Sequence, residues 1–271
     1  SNLAAMGLQV RAAEVTVVLR NKKSLALIFV WGWVLGPALG YLITRVLPLA
    51  EPFAAVVLLT SLAPCAPFLP PMVEKARGDV DFAGAFIPAA AVGTVVFMPL
   101  FAPLLIHGLT LSALSLAKPL VLTVLIPLLA GAVLRTYAAP RAAKLFKPVK
   151  ALAGLSTALT VLFCILLYAR RMLDTAGSFA LASMTLFMLV MGLITYRFGF
   201  GLKQSERSVM CLGMGSRNIA AVLAGLLAIP NGDPRMTAMV IMWTLWSFVL
   251  AKIAAPILGR LADRTVVGGV A

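Results

Sequence analysis

Residues 63–71 read Ala63-Pro64-Cys65-Ala66-Pro67-Phe68-Leu69-Pro70-Pro71, in the middle of an apolar run that starts near Pro52. A proline has no backbone N–H, and its ring collides with the preceding helical turn. Four prolines within residues 64–71 therefore predict a helix that breaks here. A second apolar run holds Gly213-Met214-Gly215-Ser216-Arg217-Asn218, two glycines with a charged and an amide side chain, and predicts a second unwound segment.

The composition says what surrounds these breaks. Hydrophobic residues make up 62% of the 271 and charged residues 12%, and the mean hydropathy is +1.03. Soluble domains run at about 45–50% apolar and about 25% charged. Apolar runs of about 20 residues, each able to cross the hydrocarbon, recur at about 24–46, 52–74, 82–107, 117–136, 149–169, 178–198, 207–229 and 236–262. The expected fold is an all-α, multi-pass membrane protein forming one domain over residues 1–271. Ser1–Val10 has the look of a helix tail, followed by the polar stretch Arg11–Lys23, so further N-terminal sequence is expected to precede the chain.

The formal charge of +14 is mainly a topology signal. With Arg11–Lys23 inside, the joints on that side carry sixteen basic residues, including Arg135, Arg141, Lys144, Lys147 and Lys150. The opposite joints carry five: Arg45, Lys118, Arg170, Arg171 and Arg235. The positive-inside rule then makes Tyr137–Lys150 and the C-terminus cytoplasmic. Bases dispersed over loops do not read as a nucleic-acid surface. A bacterial cytoplasmic membrane is the expected location. Cys65, Cys164 and Cys211 lie in apolar runs without paired or metal-like spacing, so they imply no disulfide, no metal and no cofactor.

The two interrupted spans are five crossings apart, so they traverse the membrane in opposite directions. Two inverted repeats with crossing broken helices are expected, about 1–110 and 117–264. Broken helices at matching places in two inverted halves point to the binding site of a secondary transporter. Half-helix N-termini offer partial positive charge to an anion. No nucleophile, base and orienting group converge at a spacing that suggests an enzyme.

At these residues the chain resembles the bile acid:sodium symporter family. The resemblance rests on Met6-Gly7-Leu8 before a basic loop, the Pro64 break closing on Ala76-Arg77-Gly78-Asp79, Pro99 and Pro103 in the next helix, and Arg217-Asn218 followed by Ala220-Ala221-Val222-Leu223-Ala224. It implies two inverted repeats and sodium-coupled transport. The family's paired Ser-Asn sodium ligands would fall on Leu69 and Pro70, its Ser and Thr ligands near Ala83 and Ile87, and its Glu and Gln ligands on Gly213 and Arg217. None of these side chains offers the hard oxygen that sodium needs.

The candidate substrate-binding set is Arg217, Asn218, Ser216 and Gly215 with Pro64, Cys65 and Pro67. A guanidinium at membrane depth costs about 2.5–3.5 kcal/mol on insertion scales, so it must face a partner or a wet cavity. Two readings of Arg217 follow. In one it stands in for sodium and attracts a small organic anion, working as a uniporter, exchanger or proton-coupled carrier, with Ser216 and Asn218 adding hydrogen bonds. In the other it is an internal clamp on carbonyls. An arsenite-type efflux permease, with Cys65 carrying the substrate, and a non-transporting receptor-like paralogue are the rival functions. Glu74, Asp79 and Asp81 read as a solvated turn with local ion pairs, His107 as an ordinary interfacial residue, and the four tryptophans as packing aromatics.

Overall fold

The computed structural model describes residues 2–9, 21–106, 112–176, 178–229 and 232–268. Side chains are described for these except residues 161, 164, 168, 171, 173–176 and 264–268. His107 and Arg11–Arg20 lie outside the described residues, as does the Cys164 side chain.

A short helix α1 (Asn2–Gly7) comes first. Among the described residues six helices are long and apolar enough to cross a bilayer: α2 (Lys22–Val46), α5 (Val80–Leu105), α6 (Ala113–Tyr137), α7 (Ala139–Ala176, apolar over Ala139–Leu167), α8 (Ala180–Arg197) and α11 (Pro234–Gly268, apolar over Pro234–Asp263). Two interrupted spans lie between them. The first is α3 (Glu51–Ser61) and α4 (Leu69–Lys75), the second α9 (Gln204–Gly215) and α10 (Ile219–Leu227). No strand is present among the described residues, as expected where every backbone group in lipid must be paired within a helix.

The breaks are shorter than the sequence suggests. Pro70 and Pro71 do not extend the first break; they sit in the opening turn of α4, where a missing N–H costs nothing. In the second run α9 stays helical through Gly215, and the chain unwinds only at Ser216–Asn218. Gly213 serves packing instead, because a Cβ there would overlap the buried Phe86 ring. The stretch 139–148, expected as part of a polar joint, is helical from Ala139. Its Ala, Lys, Arg and Leu residues are good helix formers, and their charges disguise the continuity.

Packing brings the interrupted spans together at the centre. Their neighbours approach closely where side chains are small: Gly93 of α5 lies under the Trp33 ring of α2, and Gly7 of α1 meets Gly131 of α6. On one face of the bundle the exit of α4, the start of α9 and the end of α11 are tied. Asp79 N donates to Ser205 O at 3.2 Å, and Arg77 forms an ion pair with Asp263. Arg77 thus pairs across the fold and not with its neighbours in the turn, while Asp79 caps α5 by accepting from Phe82 N at 2.8 Å.

Candidate functional site

The two breaks cross at an isolated antiparallel bridge between Pro64 and Arg217. Unwound backbone inside a membrane needs partners, and here each break supplies them to the other. Asn218 N donates to Ala63 O at 2.8 Å, Cys65 N donates to Gly213 O at 2.9 Å and to Ser216 O at 3.1 Å, and Ala66 N donates to the Ser216 hydroxyl at 3.1 Å. Cys65 turns the corner with a positive φ of 74°, a region that favours glycine, so the crossover holds a strained residue. Its thiol is buried. Pro67 is half-buried at the bend leading into α4.

Arg217 is fully buried at 0% exposure. Its Nη1 donates to Ser61 O at 3.3 Å and its Nη2 to Met214 O at 2.8 Å. Ser61 ends α3 and Met214 lies in the last turn of α9, so one guanidinium joins the C-terminal ends of both leading half-helices. Each helix C-terminus carries about half a negative charge. Two of them balance one guanidinium without a carboxylate, and among the described residues no acid pairs with Arg217. The remaining face of the guanidinium stacks on Phe187 of α8, 4.4 Å from the ring centroid. Its Nε–H has no hydrogen-bond partner among the described residues.

The trailing half-helices point their N-termini at the same crossover. Asn218 caps α10, its Oδ1 accepting from Ala221 N at 3.3 Å. Gly215 lets α9 lie against α8, with its would-be Cβ 3.3 Å from Met188 O. Ser216, Arg217, Asn218, Pro64 and Cys65 thus gather at one point, with Pro67 and Gly215 on the segments leading to it.

Three residues of this centre escape a reading of the sequence. Phe187 sits under Arg217, Trp243 packs edge-on against Phe187 with ring centroids 5.9 Å apart, and Trp33 donates its indole N–H to Leu62 O at 3.1 Å. All three are aromatics in apolar helices, with nothing local to distinguish them from other packing residues. The Trp243 N–H, like Arg217 Nε, is buried without a partner among the described residues.

A crevice of about 260 Å³ opens between the end of α1, α4 and the start of α5, lined by Met6, Gln9, Pro70, Glu74, Asp81, Ala83 and Ile87 among others, and no residue of the crossover lines it. Three of the positions implied by the family pattern for sodium, Pro70, Ala83 and Ile87, face this crevice with hydrocarbon only. Leu69 is buried in the first turn of α4.

Comparison with known proteins follows the same lines. A family model described as "Sodium Bile acid symporter family" matches residues 1–175. The "Probable sodium/metabolite cotransporter BASS3, chloroplastic" of Arabidopsis thaliana is 26% identical over 246 residues, 88% of this chain. The match spans 57% of that relative's length.

Proposed function

The chain belongs to the sodium bile acid symporter family, and from that premise we propose that it is a secondary transporter of a small organic anion that needs no sodium at the family's usual ligand positions. One observation carries the reading: the Arg217 guanidinium is hydrogen-bonded to carbonyls at the C-termini of both broken helices. Paired helix C-termini are where a transporter of this architecture holds its coupling cation, and here a covalently attached cation stands there.

The charge arithmetic favours an anion. The ends of α3 and α9 contribute about −0.5 each and Arg217 cancels them; the start of α10 adds about +0.5 and is left over, whereas α4 opens on Leu69-Pro70-Pro71, whose prolines have no N–H to offer. An anionic substrate meeting the α10 N-terminus offsets that charge. Ser216, Asn218, Gly215, Pro64, Cys65 and Pro67 position it, with the crevice at Pro70 and Ile87 as its route. The two inverted halves, about 1–110 and 117–264, rock about this fixed crossover to expose it to either side. Transport and not catalysis is the proposed activity, in a bacterial cytoplasmic membrane. The substrate is proposed as a metabolite-sized anion, in keeping with the relative's printed description as a sodium/metabolite cotransporter.

Uptake into proteoliposomes, screened over organic anions with sodium, pH and membrane potential varied independently, tests the reading. Saturable anion uptake that is unchanged when choline replaces sodium is the expected result. Uptake that rises steeply and saturably with sodium at fixed pH and potential overturns it.

A further inference from the structure

The start of α7 carries four exposed bases, Arg141, Lys144, Lys147 and Lys150. We propose that this face is a binding site for the headgroups of anionic phospholipids. α7 has 38 residues, about 57 Å at 1.5 Å per residue, whereas the hydrocarbon is about 30 Å thick. Part of the helix therefore lies beyond the apolar slab, with Arg141–Lys150 at one end and Arg170 and Arg171 towards the other. Ala138 alone separates α6 from α7, so the first of these ends sits at the membrane surface, on the side that the basic-residue count makes cytoplasmic.

The arrangement of the bases selects the partner. Ala142, Phe146, Val149 and Ala153 follow helical spacing and form the buried or half-buried face. At about 100° per residue the four bases sweep the opposite side. Arg141, Lys144 and Lys147 point away from the bundle, Lys150 lies over the Phe146 ring at 5.3 Å from its centroid, and none of the four lines the crevice between α1, α4 and α5. Orienting the protein requires bases on this side but not on one face. No acidic residue occurs between Asp81 and Asp174, and among the described residues none of the four forms an ion pair. Tyr137, at 86% exposure, and Leu145, at 45%, supply apolar anchors beside the charges. Basic residues beside a membrane attract acidic headgroups, and the attraction accumulates with each charge.

Native mass spectrometry of the purified full chain, titrated with short-chain phosphatidylglycerol or phosphatidylcholine, tests the site. A variant with Arg141→Gln, Lys144→Gln, Lys147→Gln and Lys150→Gln is compared with the parent, and with Lys118→Gln as a control from the opposite side. Should the quadruple variant fail to fold, the two double variants 141/144 and 147/150 replace it. Removing four charges is expected to weaken phosphatidylglycerol binding about tenfold or more, leaving phosphatidylcholine binding and the control unchanged. Inorganic phosphate is expected not to displace the lipid. Equal phosphatidylglycerol binding by parent and variants overturns the proposal, as does displacement by inorganic phosphate, which would assign the bases to a free anion.

Discussion

Arg217 brings a full charge into a place without a carboxylate, and its surroundings show why this is tolerated. Hydrogen bonds to a charged group are worth about 1.5–3 kcal/mol each, and a desolvated cation over an aromatic face about 2 kcal/mol. Two such bonds and the Phe187 face together exceed the insertion cost of about 2.5–3.5 kcal/mol. The same contacts would serve a purely structural clamp, so stability alone does not separate the two roles. Arg217→Lys keeps the charge but loses the planar fork that reaches both carbonyls. It should weaken anion binding by about tenfold or less, whereas Arg217→Gln should weaken it by more than tenfold, above about 1.4 kcal/mol. Arg217→Gln also frees the carbonyls of Ser61 and Met214, so sodium chloride, but not choline chloride, should raise the melting temperature of that variant and not of the parent. Affinity and melting temperature measured on the purified variants check this. If Arg217→Gln binds anion as tightly as the parent while losing stability, the clamp is the whole role of Arg217.

Elements meet at the crossover because each interrupted helix lacks what the other offers. The α3 terminus presents Leu62 O to the Trp33 indole of α2, and Trp33 keeps its place because α5 has Gly93 beneath the ring. A single methyl at Gly93 therefore acts on three elements. Gly93→Ala should push the indole off the Leu62 carbonyl and destabilise the protein by about 1–3 kcal/mol, the usual cost of overpacking. Intrinsic tryptophan fluorescence should change along with the melting temperature. Unchanged stability and fluorescence would show that Trp33 does not secure the break. At the residue and element scales alike, the break at Pro64 and Pro67 was legible from the chain because a missing N–H acts locally, whereas Pro70 and Pro71 misled because the first turn of a helix tolerates proline. Gly213 and Gly215 misled because a glycine in an apolar run can serve either an unwound turn or a close contact. The buried Phe86 ring decides for contact at Gly213.

Across the whole molecule, the described residues hold six long apolar spans and two interrupted ones. The direction expected for each crossing rests on the asymmetry of basic residues; the end of α4, the start of α9 and the end of α11 are tied to one another on a single face of the bundle. Single cysteines placed at Ala138 and Ala262 in a cysteine-free background should both react with a membrane-impermeant maleimide only after the membrane is opened on its cytoplasmic side. Labelling at Ala138 from outside intact cells would overturn the orientation.

The sequence by itself determined the all-α succession of apolar spans, the two interruptions and the presence of a cation at one of them. Those features answer to bilayer thickness, to the donors that prolines lack and to side-chain charge, all of which act over a few residues. Only the tertiary structure decided what Arg217 holds, how little of the second span unwinds and which aromatics close around the centre. A continuous helix in lipid satisfies its own backbone within four residues, but a broken one must find partners elsewhere. The Ser61 carbonyl that Arg217 reaches is 156 positions away in the chain.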